Sequence, residues 1–129
     1  MKAPRAPNPE KAADGRLEHV CQTAIDGRRA VRKLTQWAEC FELSESELQI
    51  LSCLSGPVGA GLDQTTLATA LSYSAPQVSA CVEKLRVRGL IAQDEAPGDR
   101  RRRMWRLSAD GVALLQRVKA AGESREAAA

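Results

Sequence analysis

Between Leu67 and Gly111 the apolar positions keep a helical period, lose it, regain it, and then alternate. Leu67, Ala68 and Leu71 share one face of a short helix, which Ser72-Tyr73-Ser74 interrupts. Ser74 suits an N-cap, and Pro76 falls in the next turn, where a missing N–H costs nothing. Val78, Cys81, Val82 and Leu85 recur at helical spacing, so this second helix buries one face and shows the other. Gly89 fits a left-handed C-cap. Leu90-Ile91-Ala92 and Met104-Trp105-Arg106-Leu107 then read as two strands of a hairpin. The loop predicted between them carries Pro97, Gly98, Asp99 and the consecutive arginines Arg100, Arg101, Arg102 and Arg103.

The flanks follow the same logic. From Arg16 to about Phe41, Leu17, Val20, Ala24, Gly27, Val31, Leu34, Ala38 and Phe41 step by three and four, the a/d seam of a long helix. A glycine inside a helix costs about 1 kcal/mol against alanine, so Gly27 suggests a close helix–helix approach. Two uses of this stripe stay open, pairing with a second copy or packing on its own domain. Ser44 and Glu47 have capping-box spacing ahead of Leu48, Ile50, Leu51 and Leu54. Residues 56–61 form a loop, Leu62 offers a short third strand, and Asp63 caps the helix that leads to Leu71. Ser108 caps a last helix with Val112, Leu115 and Val118 on its apolar face. The predicted organisation is a disordered tail over 1–15, one domain over 16–121 with a long first helix (about 16–41), and a frayed tail over 122–129.

Helix-turn-helix followed by a basic hairpin is a winged helix, whose usual work is gripping DNA. The expected class is therefore mainly α with a small β-hairpin wing. Composition agrees: 43% hydrophobic with only 3% aromatic favours helices packed through Leu, Val and Ala. A net charge of +3 is too mild to signal a nucleic-acid partner, but its distribution is not even. Lys84, Arg86, Arg88, Arg100 to Arg103 and Arg106 stand in one stretch against Asp94, Glu95 and Asp99.

The ordered set Leu67-Ala68, Leu71, Ser74, Val78-Ser79, Val82, Leu85, Gly89-Leu90-Ile91, then Asp99-Arg100-Arg101, then Leu107-Ser108-Ala109-Asp110-Gly111 resembles the MarR family of bacterial winged-helix transcription regulators. The likeness extends back to about Leu43. It implies a homodimer that regulates transcription by placing a recognition helix in the major groove and the wing in the minor groove. It assigns Asp99 to orient the wing and Arg101 to enter the groove. Members of the family carry a longer helix and one more after the wing, whereas only eighteen residues follow Gly111 here. The expected dimer interface therefore rests on the first helix, through Leu17, Val20, Ala24, Gly27, Val31, Leu34, Ala38 and Phe41. Many relatives hold an effector between dimer lobe and winged domain; nothing in this sequence specifies one.

The candidate DNA contacts are Thr65, Tyr73, Ser74, Ala75, Gln77, Ser79 and Lys84 on the helical side, and Asp99, Arg100, Arg101, Arg102 and Arg103 on the wing. Arginine suits this place because its guanidinium is always charged and forks its donors, which fits phosphate and the narrow minor groove. Gln77 has the donor and acceptor to pair with adenine. Tyr73 and Thr65 lie near helix starts, where phosphates bind. Without Arg or Lys in its first two turns, the second helix keeps another reading open: a winged-helix protein-interaction module that has lost DNA binding.

No nucleophile–base pairing or phosphate loop points to an enzyme, and no cofactor is expected. Cys21, Cys40, Cys53 and Cys81 lack metal-site spacing and His19 is the sole histidine, so no metal is expected either. A redox sensor needs an accessible thiol of lowered pKa; Cys53 and Cys81 instead fall on apolar faces. With neither a membrane-length apolar run nor a signal-peptide core, the expected location is the cytoplasm.

Overall fold

A computed structural model describes residues 15–56, 61–96 and 99–128, with the side chains of 95–102 and 125–129 outside the described set. The expected tail over 1–15 lies, but for Gly15, outside the described residues. The elements are α1 (Leu17–Glu39), α2 (Glu45–Leu54), α3 (Gln64–Leu71), α4 (Ala75–Val87), β1 (Ile91–Ala96), β2 (Asp99–Leu107) and α5 (Ala109–Ala128). This is the mainly helical, hairpin-bearing class expected from the pattern. Among the described residues no helix is long and apolar enough to cross a membrane.

The chain forms two units, Met1–Lys33 and Leu34–Ala129. In the first, α1 is exposed throughout, with Leu17, Val20, Ile25 and Val31 open on its surface. Among the described residues, and apart from Gly27's chain neighbours and its own helix backbone, nothing lies within 4 Å of where a Cβ on Gly27 would stand.

The second unit is built around a helical core. Leu48, Ile50 and Leu51 from α2, Leu67 from α3, and Val78, Val82 and Leu85 from α4 are buried together. Each fully buried aliphatic side chain contributes roughly 1.5–3 kcal/mol. Caps hold the helix starts as their sequences predict. Ser44 Oγ accepts from the Glu47 N–H at 3.1 Å, and Glu47 Oε1 accepts from the Ser44 N–H at 3.0 Å, a complete capping box. Asp63 Oδ1 accepts from the Thr66 N–H at 2.7 Å, and Ser74 Oγ from the Gln77 N–H at 3.2 Å.

The hairpin is longer than its sequence suggests. Strands β1 and β2 are antiparallel, and pairing continues through Gln93↔Trp105 and Glu95↔Arg103 to Ala96↔Asp99. The arginine run therefore lies within β2 and not in a loop. The register shifts between Glu95 and Ala96, so Arg100 to Arg102 fall where β2 has residues without β1 partners. Polar and charged residues tolerate this extension because both strands can pair outside the core. In place of the short third strand expected there, Leu62 makes an isolated antiparallel bridge to Trp105, with bonds of 2.9 and 2.8 Å, beside a two-stranded sheet.

Two boundaries need correction. The closing helix does not fray at Gly122 but runs on to Ala128. Gly122 is buried, and a Cβ there would stand 3.2 Å from the Trp37 ring, so the missing side chain lets the helix pass close to that indole. The seam assigned to α1 also divides. Ala38 is fully buried in this chain's own core, with Leu34 and Phe41 packed against it, so these positions serve the fold. Heptad spacing does not distinguish a partner helix from the domain's own helices.

At the start of α5, Gly111 passes so near the residue preceding β1 that a Cβ would collide with the Leu90 carbonyl oxygen. Gly→Ala normally stabilises a helix by about 1 kcal/mol. Here overpacking reverses the sign, and Gly111→Ala is expected to destabilise by about 1–3 kcal/mol, read as a lower urea midpoint. An unchanged or raised midpoint contradicts this account of the α5–β1 junction.

Candidate nucleic-acid interface

Helix α4 buries Val78, Cys81, Val82 and Leu85 and thereby turns Ala75, Gln77, Ser79, Ala80, Glu83 and Lys84 to the exterior. Its first turn is held by the Ser74 cap, with Pro76 inside it. At the other end Gly89 takes a positive φ of 73°, which ends the helix and feeds the chain into β1. Arg88 reaches across to the turn after α1, donating to the Glu42 carbonyl at 2.7 Å and the Phe41 carbonyl at 3.2 Å. Arg117 of α5 lies over the Phe41 ring at 5.4 Å. Ser108 Oγ donates to the Gly89 carbonyl at 2.6 Å and accepts from the Gly111 N–H at 3.1 Å, joining the end of α4 to the start of α5.

A groove of about 510 Å³ runs between α4 and the hairpin. Ser79, Glu83 and Arg86 line its helix side, Gln93 and Arg103 its strand side, and Gln64 of α3 contributes. Cross-strand pairing explains the strand side: Gln93 faces Trp105 and Glu95 faces Arg103, so Arg103 lies on the same face as the buried Trp105. The opposite face carries an ion pair, Arg106 Nε to Asp94 Oδ2 at 2.6 Å. On α4 the Glu83 carboxylate takes two bonds from Arg86, 2.6 Å from Nη2 and 3.0 Å from Nε. The hydrogen bonds lower the Glu83 pKa and raise that of Arg86. Both side chains are exposed, so the pair chiefly orients the guanidinium.

The expected contacts separate into groups. Ser74 and Ala75 are exposed at the start of α4, Thr65 is exposed in the first turn of α3, and Ser79 and Arg103 line the two sides of the groove. Gln77 is exposed, and its Nε2 donates to Ser46 Oγ of α2 at 3.1 Å. Lys84 does not line this groove but a separate hollow with Glu42, Glu47 and Arg88. Tyr73 does not offer its hydroxyl to a phosphate: the oxygen is enclosed beside Ser46 and Glu45, and burial is the leading cause of its raised pKa. An aromatic beside a helix start is drawn inward here because it packs against the core. The side chains of Asp99, Arg100, Arg101 and Arg102 lie outside the described residues.

Sequence reading missed Gln64, Gln93 and Ser46. Gln93 stands two residues beyond Ile91, and a strict period of two would have put it on the inner strand face. Ser46 carries no local signal, because its contact with Gln77 spans separate helices. Among the described residues no group of three His, Cys, Asp or Glu is disposed to hold a metal.

This arrangement defines a winged helix: two short helices, the second exposed on its outer side, followed by an arginine-bearing hairpin across a groove. No family model matches the sequence, and no curated protein matches it. Solved structures do. A MepR variant of S. aureus bound to an oligodeoxyribonucleotide aligns with a TM-score of 0.70 at 22% identity, over 85% of this chain and 80% of that one. The S. aureus MepR–DNA complex aligns at 0.66 and 24%, over 81% and 78%. Wild-type MarR of E. coli, in its apo form, aligns at 0.68 and 15%, over 81% and 74%. At these identities the likeness establishes the fold: the chain has the winged-helix fold of MarR-family regulators.

The thiols divide by the same packing. Cys81 is buried, and loss of solvation is the first cause of its raised pKa; Cys21 and Cys40 are exposed. A maleimide at neutral pH is expected to label Cys21 and Cys40 rapidly in the native protein and Cys81 only on unfolding, followed by mass spectrometry. Rapid native labelling of Cys81 contradicts the packing of α4.

Proposed function

We propose that the chain is a MarR-type transcription regulator that binds duplex DNA as a cytoplasmic homodimer and has no catalytic activity. One observation carries the reading: the outer face of α4 and the arginine-bearing strand β2 flank a single groove. In this reading α4 lies in the major groove and the wing in the minor groove, with Ser79, Arg86 and Arg103 towards the phosphates between them. Asp99 and Arg100 to Arg102 continue the wing, Arg101 foremost. Gln77 reads a base edge, while Thr65, Ser74 and Ala75 approach the backbone. Fold likeness to MepR, which has been solved with DNA, supports this.

A second reading has one observation in its favour. Glu83 neutralises Arg86, which leaves the outer face of α4 weakly charged, as suits a protein-interaction module. Titration with random duplex at low and high salt separates the two. The regulator binds at low salt with a steep salt dependence, and the interaction module does not bind.

The wing is expected to supply affinity and the helix discrimination. Arg101→Ala and Arg103→Ala should each weaken operator and random duplex alike and flatten the slope of log K against log salt by about one unit. Gln77→Ala should narrow the gap between operator and random DNA by about 1–3 kcal/mol, with the slope nearly unchanged. A larger loss on random DNA from Gln77→Ala than from either arginine variant refutes this division.

For the dimer, the support is the exposed row Leu17, Val20, Ala24, Gly27 and Val31. Small residues at its centre suit close approach of a second copy of α1. Val20→Glu with Val31→Glu buries charge in that seam and should give a folded monomer by sedimentation. A double variant that stays dimeric puts the seam elsewhere.

A further inference from the structure

Gln77 is the residue on the outer face of α4 best equipped to read a base, and it is not left to rotate freely. Its Nε2 donates to Ser46 Oγ at 3.1 Å across a sequence separation of 31. Ser46 is itself well placed to hold a neighbour. It stands inside the capping-box turn of α2, between Ser44 and Glu47, and that helix is anchored by Leu48, Ile50 and Leu51 in the core. Beside it, Glu45 is fixed by Gln49, whose Nε2 donates to Glu45 Oε1 at 2.7 Å. The enclosed Tyr73 hydroxyl also lies beside Ser46.

From this contact we infer that Ser46 is a positioning residue for base discrimination, pre-orienting the Gln77 amide for an adenine; the inference rests on the proposed DNA-binding reading. A glutamine pairs with adenine by accepting from N6–H and donating one amide hydrogen to N7. Nε2 has two hydrogens, and Ser46 occupies one. The other, with Oε1, remains for the base. An exposed glutamine loses side-chain freedom when it docks, so one already held in place loses less on binding. Because the contact touches no phosphate, its effect belongs to discrimination and not to overall affinity or salt dependence.

The test uses the full chain as wild type, Ser46→Ala, Ser46→Thr, Gln77→Ala and the Ser46→Ala/Gln77→Ala double variant. Each is measured on a duplex selected from random sequence by the wild type, and on its single-base-pair variants. Ser46 is not the N-cap, so loss of its hydroxyl leaves the capping box intact, and unchanged thermal unfolding checks this. The expected result is that Ser46→Ala lowers the preference for one A·T pair severalfold, at the same position that Gln77→Ala affects. Binding to random duplex and the salt slope stay as in the wild type. Ser46→Thr, which keeps a hydroxyl, retains the preference, and in the double variant Ser46→Ala adds nothing to Gln77→Ala.

The inference is overturned if Ser46→Ala leaves that preference unchanged or increases it, if its effect adds to that of Gln77→Ala, or if it weakens all duplexes equally. It is likewise overturned if Gln77→Ala changes no base preference. Absence of duplex binding by the wild type at low salt removes the DNA-binding reading and this inference with it. Intact wild-type binding with an unaltered preference in Ser46→Ala removes only the inference.

Discussion

Burial of the inner face of α4 is the constraint on which the rest of the second unit depends. Val78, Val82 and Leu85 are almost wholly removed from solvent, and Cys81 lies with them. A helix that commits these positions to the core has no choice about what it shows: Gln77, Ser79, Glu83 and Lys84 must face out. Rotating α4 by one residue would drive Glu83 or Ser79 into an apolar interior, at a cost of several kcal/mol for an unpaired charge or a lost hydrogen bond. The outer face is thus a by-product of core packing, and rigid for that reason.

The end of α4 is where the other elements are tied to it. Gly89 turns the chain into β1, Ser108 bridges Gly89 and Gly111, and Arg88 holds the carbonyls of the turn after α1. Hydrogen bonds to charged groups contribute more than neutral ones, about 1.5–3 kcal/mol. With Arg117 over Phe41, that turn is held from both α4 and α5. The groove between α4 and the hairpin follows, because both its walls depart from the same short junction.

Charge around the groove is arranged less simply than a count of basic residues suggests. Arg86 is forked onto Glu83, Arg106 is paired with Asp94 on the far face of the hairpin, and Lys84 lines a hollow apart from the groove. Of the basic residues whose side chains are described, Arg103 shares the inner strand face with Gln93. A sequence cluster of like charge therefore resolves into residues that neutralise one another and a smaller set directed at the groove.

Much of this fold was legible from sequence, because local rules agreed with one another. The Ser44, Asp63 and Ser74 caps, the break at Ser72, the buried row Val78–Leu85 and the turn at Gly89 each follow from interactions within a few residues of chain, which is the range a sequence pattern encodes. The Leu62 bridge and the capping of α5 by Ser108 were legible in the same way. Where several helices compete for one apolar face, the pattern was ambiguous: the heptad of α1 could not show that Ala38 belongs to the chain's own core while Val20 and Val31 remain exposed. Nor could composition show that α5 continues past Gly122, since that depends on Trp37, far away in sequence. The site divides likewise. The outward face of α4 and the arginine run were legible in the chain, though that run was expected in a loop and lies in β2, whereas the enclosed Tyr73 hydroxyl, the Glu83–Arg86 fork set against the groove and the Ser46–Gln77 contact were decided only by tertiary packing. Caps and turns are settled by near neighbours, and the direction of a long polar side chain by whichever group folding brings within hydrogen-bonding reach.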